Sequence, residues 1–299
     1  MTTIASTAAE VPAQRRPRPV VVEFMRKQPL GAISFVVIVA MMFAGIFAEL
    51  VAPYDPLNID FAGILAPPSW EHLTGTDAFG RDTFSRIIYG ARTALIIGFC
   101  SSFIGSTLGL LLGASCAYFS GRVDMIIQRF VDIMLSFPII VLALVVVAVL
   151  GKWQVLGIDV NLIFAIAIPI VPNVTRIVRA AALSVRAMPY IDAAKAAGYS
   201  HARIIGRHML PNLMAPYLIM LTAYIAQAIL LEASLSFLGL GVAEPTPAWG
   251  LMLSGNASDF FAEAPWMALF PGVAISLAVF AFSLFGDALR DWLDPKFKT

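Results

Sequence analysis

The sequence predicts an all-α integral membrane protein with six transmembrane helices and both termini in the cytoplasm. Of its 299 residues, 59% are hydrophobic and only 13% are charged, which is more apolar than a soluble domain of this length requires. Six segments approach the roughly 20 apolar residues that cross a bilayer. Sixteen of the 20 basic residues lie on one side of the path that these segments define. The near balance of 20 basic and 19 acidic residues gives no indication of a nucleic-acid partner.

The predicted spans are residues 30–51, 93–119, 126–150, 160–174, 213–231 and 266–285. The first follows a basic stretch, as a signal peptide would, but it is too long and lacks a small-residue cleavage pattern, so we expect a retained anchor. The fourth is short and contains Pro169 and Pro172, and we expect it to continue as a helix to Arg186 as it leaves the membrane. Six crossings put both termini on one side.

The basic residues assign that side to the cytoplasm, because short cytoplasmic loops carry an excess of Lys and Arg. We therefore divide the chain into a cytoplasmic tail at 1–29, a first helix with an external loop at 30–92, a core of five helices at 93–290 and a cytoplasmic tail at 291–299. The predicted external loops, 52–92 and 236–265, are rich in acidic residues, which we attribute to solvation rather than to a ligand.

A polar, helix-forming segment at 188–211 separates two apolar runs on the predicted cytoplasmic side. Residues 190–197 are rich in alanine and favour a helix, and Gly198 can adopt the left-handed conformation that ends one. Ser200 can cap a second helix, which Pro211 is expected to end. The result is a helix-turn-helix elbow.

Such an elbow suits docking into the groove of a partner protein. The alternative is an amphipathic linker that lies on lipid headgroups and is anchored by Lys195, Arg203 and Arg207. The apolar side chains that we expect to be available to a partner are Ile191, Ala194, Tyr199, Ile204 and Ile205.

The spacing within this segment resembles a known loop. Asp192-Ala193-Ala194, then Gly198, then Leu210-Pro211 twelve positions after that glycine are similar to the cytoplasmic EAA loop of bacterial ABC-importer permeases. The resemblance implies a loop that seats against ATPase subunits and couples them to transport. His208 stands where the family's general form has isoleucine. The implied coupling residues are Asp192, Ala193, Ala194, Gly198, Ile204, Leu210 and Pro211.

Further blocks at 75–92, 236–241, 247–250 and 286–295 resemble the C-type subunit of dipeptide and oligopeptide permeases. The resemblance implies a type I ABC-importer permease fold in the bacterial inner membrane, moving dipeptides or oligopeptides by alternating access. The implied partners are a homologous second permease subunit, two ABC ATPase subunits that bind ATP and Mg, an extracytoplasmic substrate-binding protein and membrane lipid. Importers of nickel, glutathione or oligosaccharides share these motifs and remain alternatives.

The chain itself is not expected to be an enzyme. Its Gly-Lys pair, Gly151-Lys152, is followed by Trp153, so the pattern G-x-x-x-x-G-K-[ST] is absent. The three histidines form no zinc-site pattern, and no nucleophile and base are spaced as in a hydrolase. We expect no catalytic residue, metal or cofactor in this chain, and we expect ATP to be hydrolysed by partner subunits.

Polar side chains at membrane depth are functional candidates because lipid offers them no partner. Gln227 and Glu232 lie on neighbouring faces of the fifth span, as candidate residues of a translocation path or gate or as a buried hydrogen-bonded pair. Asp132 is expected to pair with Arg129, one turn away. A different class of function, an ion-coupled secondary transporter, would use Asp132 and Glu232 as relay groups and would leave the elbow unexplained.

Small residues recur at every fourth position of the second span. Gly105, Gly109 and Gly113 fall on one helical face and would let another helix approach closely, and we favour a helix of the same chain.

The external loop before this span contains charges of both signs. Asp77 or Asp82 could pair with Arg81 or Arg86 and order the loop. The alternative is direct contact with a substrate or with a binding protein.

Overall fold

The computed structural model describes residues 20–155 and 158–293, and in these ranges the chain is almost entirely helical. The predicted tails, 1–29 and 291–299, are described only in part, because 1–19 and 294–299 lie outside the described residues. Two strands of two residues each pair as a short antiparallel hairpin before the seventh helix. In chain order the elements are α1 Val20–Lys27, α2 Pro29–Ile46, α3 Ala48–Val51, α4 Thr83–Phe119, α5 Gly121–Leu135, α6 Ile139–Leu150, β1 Gln154–Val155, β2 Ile158–Asp159, α7 Val160–Arg186, α8 Pro189–Ala196, α9 His201–Arg203, α10 Met214–Phe237, α11 Trp249–Leu253, α12 Asn256–Asp259 and α13 Trp266–Leu293.

Within the described residues, five helices are long and apolar enough to cross a membrane, and a sixth crossing is present if α5 and α6 count as one span. The five are α2, α4, α7, the continuous helix His201–Phe237 and α13. The fourth predicted span continues to Arg186 as expected. Asn173 Nδ2 donates to the carbonyl of Pro169 in this helix, and such side-chain bonds help to satisfy backbone groups beside a proline.

The third predicted span, 126–150, was wrong in its form, because it is a bent pair of helices rather than one straight helix. α5 and α6 are joined through Ser136-Phe137-Pro138 and differ in direction by 96°. Pro138 has no amide hydrogen to continue the helix and disfavours helical geometry in the residue before it. α5 therefore ends at Leu135 and α6 starts at Ile139.

The second span begins at Thr83, ten residues before its predicted start, so the external loop is shorter than expected. Asp82 caps the helix, since its Oδ2 accepts hydrogen bonds from Ser85 N at 2.8 Å and from Ser85 Oγ at 2.7 Å. At about 1.5 Å per residue, the 37 residues of α4 extend well beyond a hydrocarbon core of about 30 Å.

The small-residue face of α4 lies against α7 of the same chain. A Cβ atom added to Gly105 would lie 2.7 Å from the carbonyl oxygen of Ala167, and one added to Gly113 would lie 2.7 Å from that of Thr175. At Gly109 the added atom would lie 2.6 Å from Val174 Cβ. The two helices run in the same direction, and their backbones are too close for any side chain at these positions.

The helices define two faces of the molecule. α4 and α13 start on the same face, where Trp266 Nε1 donates to the carbonyl of Thr76 at 3.1 Å and Thr76 forms a β-bridge with Asp82. We call this the loop face. α4 and α13 end on the opposite face, which carries residues 188–211 and which we call the elbow face. Phe24 lies there against Trp292. Both ends of the described chain are thus on the elbow face.

Gly109→Ala is expected to destabilise the protein, because its Cβ would collide with Val174. Overpacking of this kind costs about 1–3 kcal/mol. Thermal unfolding of the detergent-solubilised chain should show a lower melting temperature. Gly272→Ala within α13 is the matched control, because a Cβ there meets nothing within 4 Å. Equal melting temperatures for the two variants would contradict the importance of the α4–α7 contact.

Candidate functional site

Residues 188–211, which we call the elbow, form the helix, turn and second helix that the sequence predicts. α8 ends at Ala196, and Gly198 has a φ of 75°, in the left-handed region. Nothing lies within 4 Å of a Cβ built on Gly198, so the backbone angle alone favours glycine there. Ser200 Oγ accepts a hydrogen bond from Arg203 N at 3.4 Å and caps the second helix.

The second helix of the elbow does not end at Pro211, contrary to the prediction. A π-helical turn at Ile204–Met209 and a 3₁₀ turn at Leu210–Leu213 lead directly into α10. In the π turn, Leu210 N donates to Ile205 O, one residue further back than in an α-helix. Asn212 Nδ2 donates to His208 O at 2.8 Å. The changed turn geometry and this side chain accommodate the proline within a continuous helix.

Three apolar residues that were expected to face a partner instead belong to the core of this chain. Ile191, Ala194 and Ile204 are buried against neighbouring helices of the same chain. The prediction was wrong because α8 and the π turn must bury one face to remain attached to the helices above them. Tyr199 is exposed as predicted, and Ile205 is half-buried. The coupling candidates that do face outward are Asp192, Ala193, Gly198 and Pro211, whereas Leu210 is half-buried.

The elbow is tied to the end of α4. Tyr118 Oη and His201 Nδ1 are 2.8 Å apart, and the imidazole also contacts the ring of Phe119. Arg186, the last residue of α7, donates from Nη1 to the carbonyl of Ala117 at 3.0 Å. These contacts join the end of α4 to the second helix of the elbow and to the end of α7.

Two ion pairs join the bent helix α5 to α7 near the elbow face. Asp124 receives a bidentate pair from Arg179, at 2.6 Å from Nε and 2.5 Å from Nη2. Asp132 pairs with Arg176, so the expected pairing with Arg129 was wrong. Arg176 is 44 residues from Asp132, and no local pattern indicates a partner at that separation.

The two polar candidates of α10 differ in environment. Glu232 is completely buried, with its Oε1 accepting a hydrogen bond from Ser236 Oγ at 2.7 Å. Its Oε2 has no hydrogen-bond partner among the described residues. Gln227 is half-buried. The carboxylate of Glu232 accepts its hydrogen bond from Ser236 and not from Gln227. The structure does not bring these two residues together as a hydrogen-bonded pair.

A cluster of charged residues occupies the loop face. Asp77 Oδ2 accepts a hydrogen bond from Arg81 Nε at 2.6 Å and lies 3.7 Å from Arg86 Nε. Glu244, from the loop after α10, reaches Arg81 Nη1 at 3.0 Å and Arg86 Nη2 at 3.7 Å. We call Asp77, Arg81, Arg86 and Glu244 the charge cluster. Sequence reasoning missed Glu244, which is 163 residues away from Arg81.

The pairing of the loop charges is selective. Asp77 pairs with both Arg81 and Arg86, which was one of the predicted pairings. Asp82 instead caps α4, and its carboxylate lies 2.9 Å from His72 Nδ1. Burial lowers the pKa of Arg81, but the hydrogen bonds and charges of Glu244 and Asp77 outweigh this effect and raise the pKa above its ordinary value. Arg81 is thus a permanent cation that orders the loop.

The arrangement of the helices matches that of a known transporter subunit. The chain aligns with a chain in the structure of inward-facing conformations of the MetNI methionine ABC transporter, with a TM-score of 0.55 and 17% identity. The alignment covers 71% of this chain and 97% of that chain. The fold is that of the type I ABC-importer permeases.

The sequence comparisons define the family. Residues 105–299 match the family described as "Binding-protein-dependent transport system inner membrane component", and residues 22–68 match "N-terminal TM domain of oligopeptide transport permease C". The chain belongs to this family of inner-membrane transport components. It is a permease subunit of a binding-protein-dependent ABC importer.

Curated relatives match over nearly the whole length. The dipeptide transport system permease protein DppC of Alkalihalophilus pseudofirmus is 43% identical, with 92% of this chain and 88% of the relative covered. The glutathione transport system permease protein GsiD of Escherichia coli O6:K15:H31 is 41% identical, with 91% of this chain and 88% of the relative covered.

Asp124→Asn is expected to loosen α5 from α7, because it removes the charge from a bidentate pair in which the carboxylate is only 15% exposed. Hydrogen bonds to charged groups contribute about 1.5–3 kcal/mol. Asp132→Asn is the control, since its pair is about half exposed and such pairs contribute about 0–1 kcal/mol. Thermal unfolding in detergent should show a clear loss for the first variant only. A loss of the same size in both would count against this ranking.

Proposed function

We propose that this chain pairs with a homologous permease subunit and, driven by two ABC ATPases, imports short peptides delivered by an extracytoplasmic binding protein. The cargo class is inferred from two relatives. The chain is 43% identical to a permease named for dipeptides and 41% identical to one named for glutathione. Glutathione is itself a tripeptide, so the two relatives share one cargo chemistry. The ATP and Mg that drive transport bind to the ATPases.

The elbow is the proposed docking site of an ATPase. Its outward side presents Asp192, Ala193, Gly198 and Pro211, while its inward side is fixed to the core by Ile191 and neighbouring buried residues. This division supports docking, because a partner can press on one side while the other side carries the displacement into the membrane domain. The excess of basic residues on this side supports a cytoplasmic location for the elbow, where an ATPase could reach it.

The proposed mechanism is alternating access driven through α10. His201–Phe237 is continuous, and its 37 residues correspond to about 55 Å at 1.5 Å per residue, so one helix runs from the second half of the elbow to the outer end of α10. Closure of the ATPases would tilt this helix against α4 and α7. Gln227 and Glu232, near its outer end, would move with it, and we propose them as gate residues.

Co-purification tests the assignment. The tagged full-length chain, extracted in mild detergent, should bring a second permease and P-loop ATPases with it, and the preparation should hydrolyse ATP. Liposomes containing the complex, with the binding protein added outside, should accumulate a dipeptide only when ATP is enclosed. Uptake by the chain alone under an ion gradient, without ATP, would contradict this proposal and identify the chain as a secondary transporter.

Gly198→Val should uncouple ATP hydrolysis from uptake. A β-branched residue at a φ of 75° is strained by about 1–2 kcal/mol, which would move the turn out of register with the docking groove. We expect dipeptide uptake to fall about tenfold while ATP hydrolysis persists.

Two variants control for this effect. Gly198→Asn tolerates the left-handed conformation and should retain most of the uptake. Gly206→Ala adds a methyl group to the same elbow where nothing lies within 4 Å and the φ is not positive. Full uptake by Gly198→Val, with normal amounts of protein in the membrane, would refute the role of the turn.

A further inference from the structure

We propose that the charge cluster is a binding subsite for the terminal carboxylate of a short peptide, and that the side chain of Glu244 occupies this subsite in the present structure. The proposal rests on the proposed function, since it identifies where this permease would contact its cargo. It concerns the loop face, on the side opposite the elbow.

The charge cluster lines a cavity of about 230 Å³ on the loop face. This volume is below the roughly 300–1,000 Å³ of sites for whole drug-sized ligands, so it suits one end of a peptide. Leu251, Met252 and Met267 contribute an apolar wall next to the charges. The cavity thus combines a polar end and an apolar end, as the terminal residue of a peptide does.

The polar end of the cavity has unused hydrogen-bonding capacity. Arg86 is only 1% exposed, and its Nη1 donates to Pro56 O at 3.3 Å. Its Nε and Nη2 lie 3.7 Å from Asp77 and Glu244, which is beyond hydrogen-bond distance. Thr83 also lines the cavity, and its buried Oγ1 has no hydrogen-bond partner among the described residues. A buried hydroxyl group without a hydrogen-bond partner costs free energy. A carboxylate in the cavity would accept hydrogen bonds from Thr83 Oγ1 and from the guanidinium group of Arg86, whose ion pairs are long.

The two acidic residues of the cluster are held very differently. Asp77 is part of the loop fold, because its Oδ1 accepts hydrogen bonds from the backbone N of Phe79 at 2.9 Å and of Arg81 at 3.0 Å. The side chain of Glu244 is 50% exposed and reaches the cluster only through the two guanidinium groups. Glu244 can therefore turn into water at small cost, whereas Asp77 cannot.

The charge balance explains what would replace Glu244. The cluster contains two guanidinium groups and two carboxylates. When Glu244 leaves, Arg81, Arg86 and Asp77 carry a net charge of +1, next to two guanidinium donors. Guanidinium groups bind carboxylates with paired hydrogen bonds, so the ligand that best restores the balance is another carboxylate. A peptide supplies one at its C-terminus.

The test measures the binding of Ala-Ala and of Ala-Ala amide, which lacks the carboxylate, to the full-length chain in detergent by isothermal titration calorimetry. Glu244→Gln removes the internal competitor and should bind Ala-Ala about tenfold more tightly than the unchanged chain. The amide should bind neither protein detectably. Glu263→Gln, which neutralises an exposed acid elsewhere on the loop face, is the matched control and should leave the affinity unchanged.

Arg86→Lys keeps the charge but loses the planar fork, and it should weaken Ala-Ala binding in the Glu244→Gln background. Melting temperatures establish that each variant is folded, and Glu244→Ala serves as a second variant without the competing carboxylate. Equal affinities for Ala-Ala and its amide, equal affinities for the unchanged chain and both Glu244 variants, or no binding to any of them would each overturn the proposal. ATP-driven dipeptide uptake by the complex is measured separately, so a failed subsite is distinguishable from a failed importer assignment.

Discussion

The close approach of α4 to α7 is the constraint on which the rest of the fold depends. Gly105, Gly109 and Gly113 let two backbones meet where any side chain would collide. Because the two helices run in the same direction, the chain between them must return across the membrane. α6 has 12 residues, about 18 Å of helix, which is too short for a hydrocarbon core of about 30 Å. α5 lies at 96° to α6, and the two ion pairs to α7 hold it in that position.

This helix pair also determines where the elbow lies. α4 and α7 end on the same face, and α8 follows there with Ile191 and Ala194 buried in the core. The contact of Tyr118 with His201 then joins the second helix of the elbow to the end of α4. The chain then enters α10 without a break. The described chain thus places a closely packed pair of helices beside one long helix that begins in the elbow, an arrangement that fits the proposed push by an ATPase.

Local chemistry accounts for the features that the sequence predicted correctly, and distance in the chain accounts for those it did not. The turn at Gly198 and the glycine face of α4 follow from residues that are close in sequence. The partners of Asp132 and Arg81 lie 44 and 163 residues away and depend on packing that no local pattern encodes. Pro211 shows a third case, because the rule that proline ends a helix was overridden by a π turn and by Asn212.

The elbow and the charge cluster are connected by the outer end of α10. Ser236 Oγ bonds to Glu232 and accepts a hydrogen bond from Val242 N at 3.1 Å, so the loop that leads to Glu244 is tied to this helix. Arg86 lies instead in the first turn of α4, and Arg81 lies just before that helix. The segment just after Glu244 is also bonded to α4, because Thr93 Oγ1 donates to Pro247 O at 3.0 Å and Trp249 Nε1 donates to Ile87 O at 2.9 Å. Glu244 is thus held between α10 and α4, and a tilt of one helix against the other would change its contacts with the arginines. Because such coupling is reciprocal, a carboxylate that displaces Glu244 would favour the tilt by the same free energy, and cargo at the loop face would be sensed at the elbow.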